Sequence, residues 1–397
     1  MRLAALVALL VFAPLSRGGE LQDAIRNGNA TQVEALLRAA QQYRTEVIQF
    51  DRLGATPLHD AAWQGNPDTV RILLQYGAML NARHLGSGSG GSGSGSGSTP
   101  LDYAVLRGNA DVVDLLLDRG AAIHDALLLA AARNNLRIVR RLLEAGAPVN
   151  HRDRAGLSAL DEAALHGLPE VAELLLARGA ETGDALREAA EKGNTPVVEV
   201  LLRHGLKPET ALESAIRNRQ AGTLQALLGH IPQASAAEAA LLDQCVLRGE
   251  TELVRLLADH GADVTAQTPA GSTPLHDAAL KGFPEIAEIL LAKGAAVDAR
   301  DKFGATPLHN AALSGRTETA ALLLRHGADV NARETESGST ALYGSASLGH
   351  AALVELLLEH GADPRLRNKA GRDPAGAARE NGFPALADAI SRQKSGN

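Results

Sequence analysis

Thirteen histidines and a single cysteine are the side chains of this 397-residue sequence that could hold a metal ion or act as nucleophiles. Three of the histidines, His59, His276 and His309, close the same tetrapeptide, Thr-Pro-Leu-His. Four others stand where we expect the last turn of a helix: His204, His260, His326 and His360. A positive side chain is favourable there. Because both groups are dispersed along the chain, neither has the spacing of a metal or catalytic centre.

The sequence also lacks the local motifs of common catalytic sites. It contains no glycine-rich phosphate loop after a strand, no Gly-x-Ser-x-Gly turn, no His-Glu-x-x-His helix and no EF-hand loop. The only cysteine, Cys245, rules out an intramolecular disulfide framework and a zinc site built from several thiolates. Its place among small apolar residues predicts a buried, inert thiol. We therefore predict that the protein is not an enzyme and uses no cofactor or metal.

Composition and charge narrow the fold class and the kind of partner. Hydrophobic residues make up 45% of the sequence but aromatic residues only 3%, so alanine and leucine must form the core, as in closely packed helices. The 39 basic and 46 acidic residues give a net charge of −7, without a long basic run. We therefore predict an all-α protein that does not bind nucleic acid.

The first eighteen residues differ from the rest of the chain. Arg2 is followed by apolar residues from Leu3 to Leu15 and then by the small residues Ser16 and Gly18. This run is shorter than the roughly 20 residues of a membrane span and is typical of a secretory signal peptide. The alternative is a first helix that covers the end of the core, but such a helix should be amphipathic. We predict a signal peptide over residues 1–18, export to the periplasm or the extracellular space, and no membrane span after its removal.

A repeated unit organises the remaining sequence. The segments that begin at Gly54, Gly271 and Gly304 are close copies of one another. The equivalent positions Thr273, Thr306, Thr340 and Asp373 are evenly spaced, with a period of about 33 residues. A fixed period of this length is typical of solenoid proteins, in which each unit buries its apolar face only against its neighbours.

The sequence of each unit predicts two short helices joined by tight turns. In the copy at Gly54, Thr56 is placed to cap the first helix, Pro57 fits its first position and Gly65 ends it. An apolar stripe within residues 70–74 marks the second helix, which ends at Gly77. The segment that follows is too short for a third helix and forms an extended turn, called a finger below.

These features resemble the ankyrin-repeat family, through the Thr-Pro-Leu-His tetrapeptides, the Ala-Ala pairs and the Leu-Leu…Gly-Ala-x-Val-Asn endings. Weaker copies begin at Thr99, Asp125, Ser158, Asp184, Thr210, Ala240 and Thr340, with further copies at Gly19 and Asp373. The resemblance implies an all-α ankyrin-repeat solenoid of about twelve helix-turn-helix units over residues 19–397, which leaves almost no chain for a catalytic domain. It also implies that the tetrapeptide histidines tie neighbouring repeats together by hydrogen bonds.

The spacing of the units is uneven. The step from Thr99 to Asp125 is shorter than the repeat period by about seven residues. The steps from Ser158 to Asp184 and from Asp184 to Thr210 are shortened equally. The missing residues always fall between a second helix and the next first helix, so we predict that fingers are absent from the middle of the chain. Full fingers form an unbroken series only in the last third.

Candidate contact residues lie on first helices and fingers. The N-terminal patch consists of Asp60, Trp63, Gln64, Tyr103 and Arg107. Its tryptophan could anchor a partner, or could merely pack on the neighbouring repeat. The C-terminal patch consists of Asp277, Lys281, Arg300, Asp301, Lys302, Phe303, Asn310, Arg333, Glu334, Glu336, Arg365, Arg367 and Lys369. We expect the C-terminal patch to be the main binding surface.

The sequence therefore predicts a monomeric, non-catalytic scaffold that binds a protein partner through the concave face formed by fingers and first helices. Two alternatives remain open: an exported effector that binds a host protein, and an enzyme or enzyme inhibitor that uses the groove in the fingerless middle. The Ala-, Leu- and Arg-rich composition favours a bacterial source.

A glycine-serine run at residues 86–98 interrupts the pattern near the N-terminal patch. The stretch from Asn81 to Thr99 is twice as long as the equivalent stretch from Asn331 to Thr340. The surplus is confined to one finger and leaves both flanking repeats in register. We therefore predict a flexible expansion within a finger, and not a linker between two domains.

Overall fold

The computed structural model describes residues 19–39, 41–51, 54–84, 97–232 and 236–394. The predicted signal peptide lies outside the described residues, as does most of the glycine-serine run. The described residues are helical, and their only β-type pairings are isolated bridges that join His84 to Ser98 and Arg152 to Ser158. The all-α prediction is therefore confirmed.

The chain forms two compact units. The first comprises Met1–Ala189 and Glu199–Gly205, and the second comprises Ala190–Val198 and Leu206–Asn397. The helices that begin in the first unit are α1 Glu20–Arg26, α2 Ala30–Ala39, α3 Gln41–Glu46, α4 Pro57–Gln64, α5 Pro67–Gln75, α6 Pro100–Arg107, α7 Ala110–Asp118, α8 Ala126–Ala132, α9 Leu136–Glu144, α10 Ala159–His166, α11 Pro169–Ala177 and α12 Ala185–Lys192.

The remaining helices begin in the second unit. They are α13 Thr195–Arg203, the short 3-10 helix Pro208–Thr210, α14 Leu212–Arg217, α15 Ala221–Leu228, α16 Ala236–Arg248, α17 Thr251–Asp259, α18 Pro274–Lys281, α19 Pro284–Ala292, α20 Pro307–Leu313, α21 Thr317–Arg325, α22 Ala341–Ser347, α23 Ala351–Glu359, α24 Pro374–Glu380 and α25 Pro384–Lys394.

Within each unit, the first helices of successive repeats pack side by side, and the second helices form a parallel layer. First helix α4 packs on α6, and α18 packs on α20, while second helix α17 packs on α19. The alanine pairs make this close approach possible, since Ala61 and Ala62 of α4 are fully buried. Val70 and Leu73, from the apolar stripe of the second helix, are fully buried too.

The helix boundaries follow the local signals. Thr56 caps α4 in an extended conformation, and Pro57 occupies the first helical position. Gly65 ends α4 with a φ of +83°, in the left-handed region that a glycine adopts without strain. The predicted beginning and end of the first helix are therefore confirmed for this repeat.

The connections confirm that fingers are missing where the spacing is short. Seven residues, 119–125, join α7 to α8, whereas fourteen, 293–306, join α19 to α20. In the two serine- or threonine-capped repeats that precede a missing finger, aspartate takes the place of the tetrapeptide histidine. Asp102 and Asp161 accept the amide N–H of Thr99 and Ser158 at 2.7 and 2.8 Å. A short side chain is sufficient in these two repeats, because there is no following finger whose carbonyl the side chain would have to reach.

The glycine-serine run lies between two neighbouring helices of the first unit. Helices α4 and α6, on either side of the run, pack against each other. The amide N–H of His84 donates to the carbonyl of Ser98 at 2.8 Å and closes the base of this finger. The flanking repeats therefore stack in register across the run.

Deleting residues 86–94 is expected to leave stability almost unchanged, because halving a loop alters its closure entropy by only about 0.6 kcal/mol. The shortened finger matches the length of the finger before Thr340. Thermal unfolding followed by circular dichroism checks this. A matched deletion of nine residues from an ordinary finger, 263–271, should unfold at a much lower temperature, and an equally large loss for both deletions would contradict the expansion model.

Candidate protein-binding surfaces

The tetrapeptide histidines are structural bridges between neighbouring repeats. Each ring accepts the amide N–H of its capping threonine at Nδ1 and donates from Nε2 to a carbonyl at the base of the next finger. The Nε2 to oxygen distances are 3.1 Å for His59, 3.1 Å for His276 and 3.2 Å for His309. Burial lowers the pKa of all three, to about 4 for His59. These rings are neutral at neutral pH, and the predicted bridging role is confirmed.

The histidines at the ends of second helices pair mainly with glutamates of a preceding helix. Nε2 of His204 lies 3.0 Å from Glu173, and Nε2 of His326 lies 3.1 Å from Glu288. His360 instead contacts the carbonyl of Leu356 in its own helix. The contacts of His204 and His326 hold neighbouring second helices together, and these histidines form no common site.

His260 has the most enclosed of these pairings. Its Nδ1 lies 2.8 Å from the fully buried carboxylate of Glu238, and its Nε2 lies 2.9 Å from the carbonyl oxygen of Ile231. Burial lowers the pKa of His260, but the carbonyl and the carboxylate outweigh it and raise the pKa above its ordinary value. Because both ring nitrogens face acceptors, the doubly protonated ring satisfies both contacts.

The N-terminal patch brings three of its five residues together. The rings of Trp63 and Tyr103 meet edge to face with centroids 5.9 Å apart, and the Arg107 guanidinium lies 4.9 Å from the centroid of Trp63. Asp60 is occupied by an ion pair with Arg26 at 3.6 Å. Trp63 therefore packs on the neighbouring repeat, with the Arg107 guanidinium over its ring.

Tyr103 cannot itself offer much contact area. Its side chain is 5% exposed, and its hydroxyl lies 2.5 Å from Nδ1 of His84. Burial raises the pKa of Tyr103. Tyr103 contacts the Trp63 ring but is itself buried, so the accessible part of the N-terminal patch reduces to Trp63, Gln64 and Arg107.

The fingers of the second unit are joined by a ladder of arginines. Arg300 donates to the carbonyl of Gly304 in its own finger at 3.1 Å and to the carbonyl of Arg333 in the next at 3.0 Å. Arg333 repeats this arrangement with its own finger and with the carbonyl of Arg367, at 2.6 Å. The ladder therefore involves three residues of the predicted C-terminal patch. The guanidinium groups of Arg300 and Arg333 donate across the fingers, and the carbonyl groups of Arg333 and Arg367 accept.

Backbone hydrogen bonds between finger tips reinforce the ladder. The amide N–H of Lys302 donates to Ala270, and that of Thr335 donates to Phe303, at 3.0 and 2.9 Å. Asp301 holds its own finger by accepting the amide N–H groups of Phe303 and Ala305. The fingers are therefore a preformed surface.

Some of the other finger residues in the C-terminal patch already have a hydrogen-bond or ion-pair partner, and others are exposed without one. Glu334 accepts a hydrogen bond from Ser337, Lys369 donates to the carbonyl of Thr335 at 2.6 Å, and Arg365 pairs with Asp363 at 3.0 Å. Lys302, Phe303 and Glu336 are exposed, and their side chains have no polar partner among the described residues. Phe303 is 46% exposed and lies 5.0 Å from the Lys302 ammonium.

The three first-helix residues of the C-terminal patch have different surroundings. Asn310 donates to the carbonyl of His276 at 3.3 Å, while Lys281 is exposed. Burial and the neighbouring carboxyl of Asp243 raise the pKa of Asp277 to about 6. Lys281 is therefore the most accessible of the three.

Two family models match the chain in several places. The model described as ankyrin repeats in three copies matches residues 21–126, 221–301, 242–334 and 295–368, and the model described as ankyrin repeats in many copies matches residues 127–176. The chain belongs to the ankyrin-repeat family. The match over residues 21–126 runs through the glycine-serine run, in agreement with the packing of α4 on α6.

Several curated proteins share part of this ankyrin-repeat chain. A B-cell lymphoma 3 protein homolog of Mus musculus is 32% identical over 198 residues, which cover 41% of the chain and 44% of the relative. The potassium channel AKT2/3 of Arabidopsis thaliana is 27% identical over 42% of the chain and 20% of its own length. The transient receptor potential cation channel subfamily A member 1 of Homo sapiens is 28% identical over 38% of the chain and 14% of its own length. The chain thus spans less than half of each relative.

The described part of this ankyrin-repeat protein contains neither a metal-binding cluster nor a helix that could span a membrane. No three histidine, cysteine or acidic side chains there could jointly hold a metal ion. No helix among the described residues has the length and apolar character needed to cross a membrane. Burial raises the pKa of Cys245 to about 12, so its thiol is protonated at neutral pH.

An exposed apolar row is the feature that the sequence reasoning missed. Leu247, Leu280 and Leu313 occupy the same slot of successive repeats at the ends of α16, α18 and α20, and form what we call the leucine stripe. Leu247 is 43% exposed and Leu313 is 58% exposed, while Leu280 between them is half-buried. The signal in the sequence was a leucine that stands directly after the two buried positions of the first helix in three successive repeats.

Proposed function

We propose that this ankyrin-repeat protein is a non-catalytic scaffold that binds a protein partner through the first helices and fingers of its second unit. The observation that carries the proposal is the series of fingers joined by the arginine ladder, with the leucine stripe on the first helices beside them. A preformed surface binds without the entropic cost of ordering its loops. Ankyrin repeats generally serve protein–protein interaction and are typically not catalytic.

Site-directed photo-crosslinking tests where the partner binds. A photoreactive residue at position 303 replaces an exposed phenylalanine that has no buried role. Irradiation in the native compartment should yield a covalent adduct with another protein. The same group at Arg325, exposed at the end of second helix α21, is the matched control. Equal adduct formation at both positions, or none at position 303, would place the binding surface elsewhere.

We also propose that the protein is exported, on the strength of the apolar run over residues 3–15. Within this proposal, binding to a host protein is the more specific role. N-terminal sequencing of the mature protein should begin near Gly19, and a mature chain that still starts at Met1 would contradict export. The expectations of a monomer, of no nucleic-acid binding and of a bacterial source stay predictions.

A further inference from the structure

One finger of the second unit lacks the arginine that joins the other fingers. Gln267, Arg300 and Arg333 occupy the same position in three successive fingers, 33 residues apart. Arg300 and Arg333 each donate to the carbonyl of the residue at that position in the next finger. Gln267 is exposed, and its side chain makes no hydrogen bond among the described residues. The carbonyl of Arg300 therefore binds no guanidinium, unlike the carbonyls of Arg333 and Arg367.

The ladder arginine also closes its own finger. Arg300 donates to the carbonyl of Gly304 at 3.1 Å, and Arg367 donates to the carbonyl of Gly371 at 3.2 Å. In the finger of Gln267 the equivalent carbonyl belongs to Gly271, and it accepts no hydrogen bond among the described residues. Two carbonyl groups whose equivalents bind arginine, those of Gly271 and Arg300, are thus unpaired at this junction.

A surface pocket of about 240 Å³ lies at the same junction. Gln267 and Arg300 both line it, and its other walls include the small side chains of Ala296 and Ala299. The volume is below the range of about 300–1,000 Å³ that is typical of small-molecule sites. The replacement of arginine by glutamine is thus accompanied by open space that suits a single side chain.

A second bridge between repeats is missing at this pocket. Asn331 accepts the amide N–H of Asp363 in the next repeat at 2.8 Å. Thr265, which lines the pocket, stands in the position of Asn331 and bonds instead to Asp263 at 2.7 Å, which leaves the amide N–H of the exposed Ala296 to solvent. Hydrogen bonds from Thr265 lower the pKa of Asp263, so its carboxylate is ionised at neutral pH. This negative charge beside the pocket favours a cationic ligand.

The guanidinium of Arg300 leaves room for a second cation. It is bound to carbonyls of Gly304 and Arg333, on the far side of its own finger from Gln267. Arg300 and Arg333 already follow one another at the repeat spacing, and a guanidinium at the carbonyls of Gly271 and Arg300 would repeat that arrangement. Arginine suits these two acceptors better than lysine does, because its planar group presents several donors in a fixed fork.

We infer that the pocket between Gln267 and Arg300 binds an arginine side chain of the protein partner. The guanidinium of that arginine donates to the carbonyl groups of Gly271 and Arg300 and takes the place that a ladder arginine has in the following fingers. This inference rests on the proposed function and adds the side chain by which the partner is recognised.

Gln267→Arg supplies the guanidinium from the chain itself and tests the two carbonyl groups directly. The variant should unfold about 2–4 °C above wild type, because it gains the bridge that the following fingers have. The matched control, Gln225→Arg, places the same charge at an exposed position of second helix α15 and should leave the unfolding temperature unchanged. Equal unfolding temperatures for the two variants would show that the carbonyl groups do not bind a guanidinium, and would overturn the inference.

Selection from a displayed library of short random peptides tests the ligand with the full-length protein. Peptides that also bind Gln267→Arg are removed, because the new side chain fills the pocket. The remaining peptides should share an arginine, and its replacement by lysine should raise the Kd at least about tenfold. Gln225→Arg should bind these peptides with the wild-type Kd. Peptides without a shared arginine, an arginine that lysine replaces without loss, or no enrichment above the starting library would overturn the inference.

One further variant separates this inference from the proposed function. Phe303→Ser changes an exposed side chain of the next finger and leaves the pocket intact. If every enriched peptide binds Gln267→Arg as tightly as wild type but loses affinity on Phe303→Ser, the proposed surface stands and the arginine pocket is overturned. If the peptides bind both variants as tightly as wild type, the placement of the surface is overturned as well.

Discussion

Replacing His276 with alanine is expected to lower the free energy of unfolding by about 3 kcal/mol, because a fully buried ring makes hydrogen bonds on both sides. Nδ1 lies 3.2 Å from the amide nitrogen of Thr273 and 2.9 Å from its hydroxyl, and Nε2 lies 3.1 Å from the carbonyl oxygen of Ala305. Alanine removes these contacts and leaves the amide and the carbonyl without partners in the core. Urea unfolding curves of the two proteins measure the difference.

Two further variants separate the two sides of the ring. His276→Asn keeps an acceptor for the Thr273 amide but is too short to reach Ala305, so it should lose roughly half as much stability as His276→Ala. His360→Ala removes an exposed histidine that contacts only its own helix, and should cost less than about 0.5 kcal/mol. If His276→Ala unfolds at the same urea concentration as His360→Ala, the bridge between repeats contributes nothing.

Glu238→Ala is expected to destabilise the second unit by about 3 kcal/mol, the lower end of the range for removing one partner of a buried ion pair. The carboxylate is fully buried, while the edge of the His260 ring reaches solvent. Without the carboxylate, the protonated ring loses its counter-ion, and Nδ1 of His260 loses its hydrogen-bond partner. Urea unfolding at pH 6 measures this loss, and Glu318→Ala, on an outer helix position without a described ion pair, is the control.

The same pair makes stability depend on pH. Because the pKa of His260 is raised in the folded protein, its contribution is complete below the ordinary histidine pKa of 6.5 and is lost as pH rises through the folded value. Unfolding temperatures measured from pH 5.5 to 8.5 should therefore fall more steeply for wild type than for His260→Gln. Parallel curves for the two proteins would show that the histidine titrates alike in the folded and unfolded states.

Much of the fold follows from residues that are close in sequence. Threonine and proline begin the first helices and glycine ends them, and the short spacing from Thr99 to Asp125 predicted a missing finger. Helix caps and tight turns depend on interactions within a few residues, so one sequence is enough to place them. The start of α16 at Ala236, four residues before the repeat register places a first helix at Ala240, was not predicted. That extension is what carries Glu238 to His260.

The sequence placed the candidate contact residues in the register of the repeats, but could not say which side chains are available. Trp63 and Arg107 were expected near each other, and they are in contact. Arg300 and Arg333 were predicted as contact residues, yet both are bound to carbonyls of neighbouring fingers.

The sequence by itself therefore determined the repeat, its helix pairs and its missing fingers. Only the tertiary structure decided that the arginines of the fingers serve the stack, that Tyr103 is buried, and that Leu247 and Leu313 are exposed. The reason is one of distance along the chain. The hydrogen bonds of a helix cap or a turn join residues that are close in sequence. The guanidinium groups of Arg300 and Arg333 bind carbonyls that are 33 and 34 residues away, and these come within reach only when neighbouring repeats have stacked.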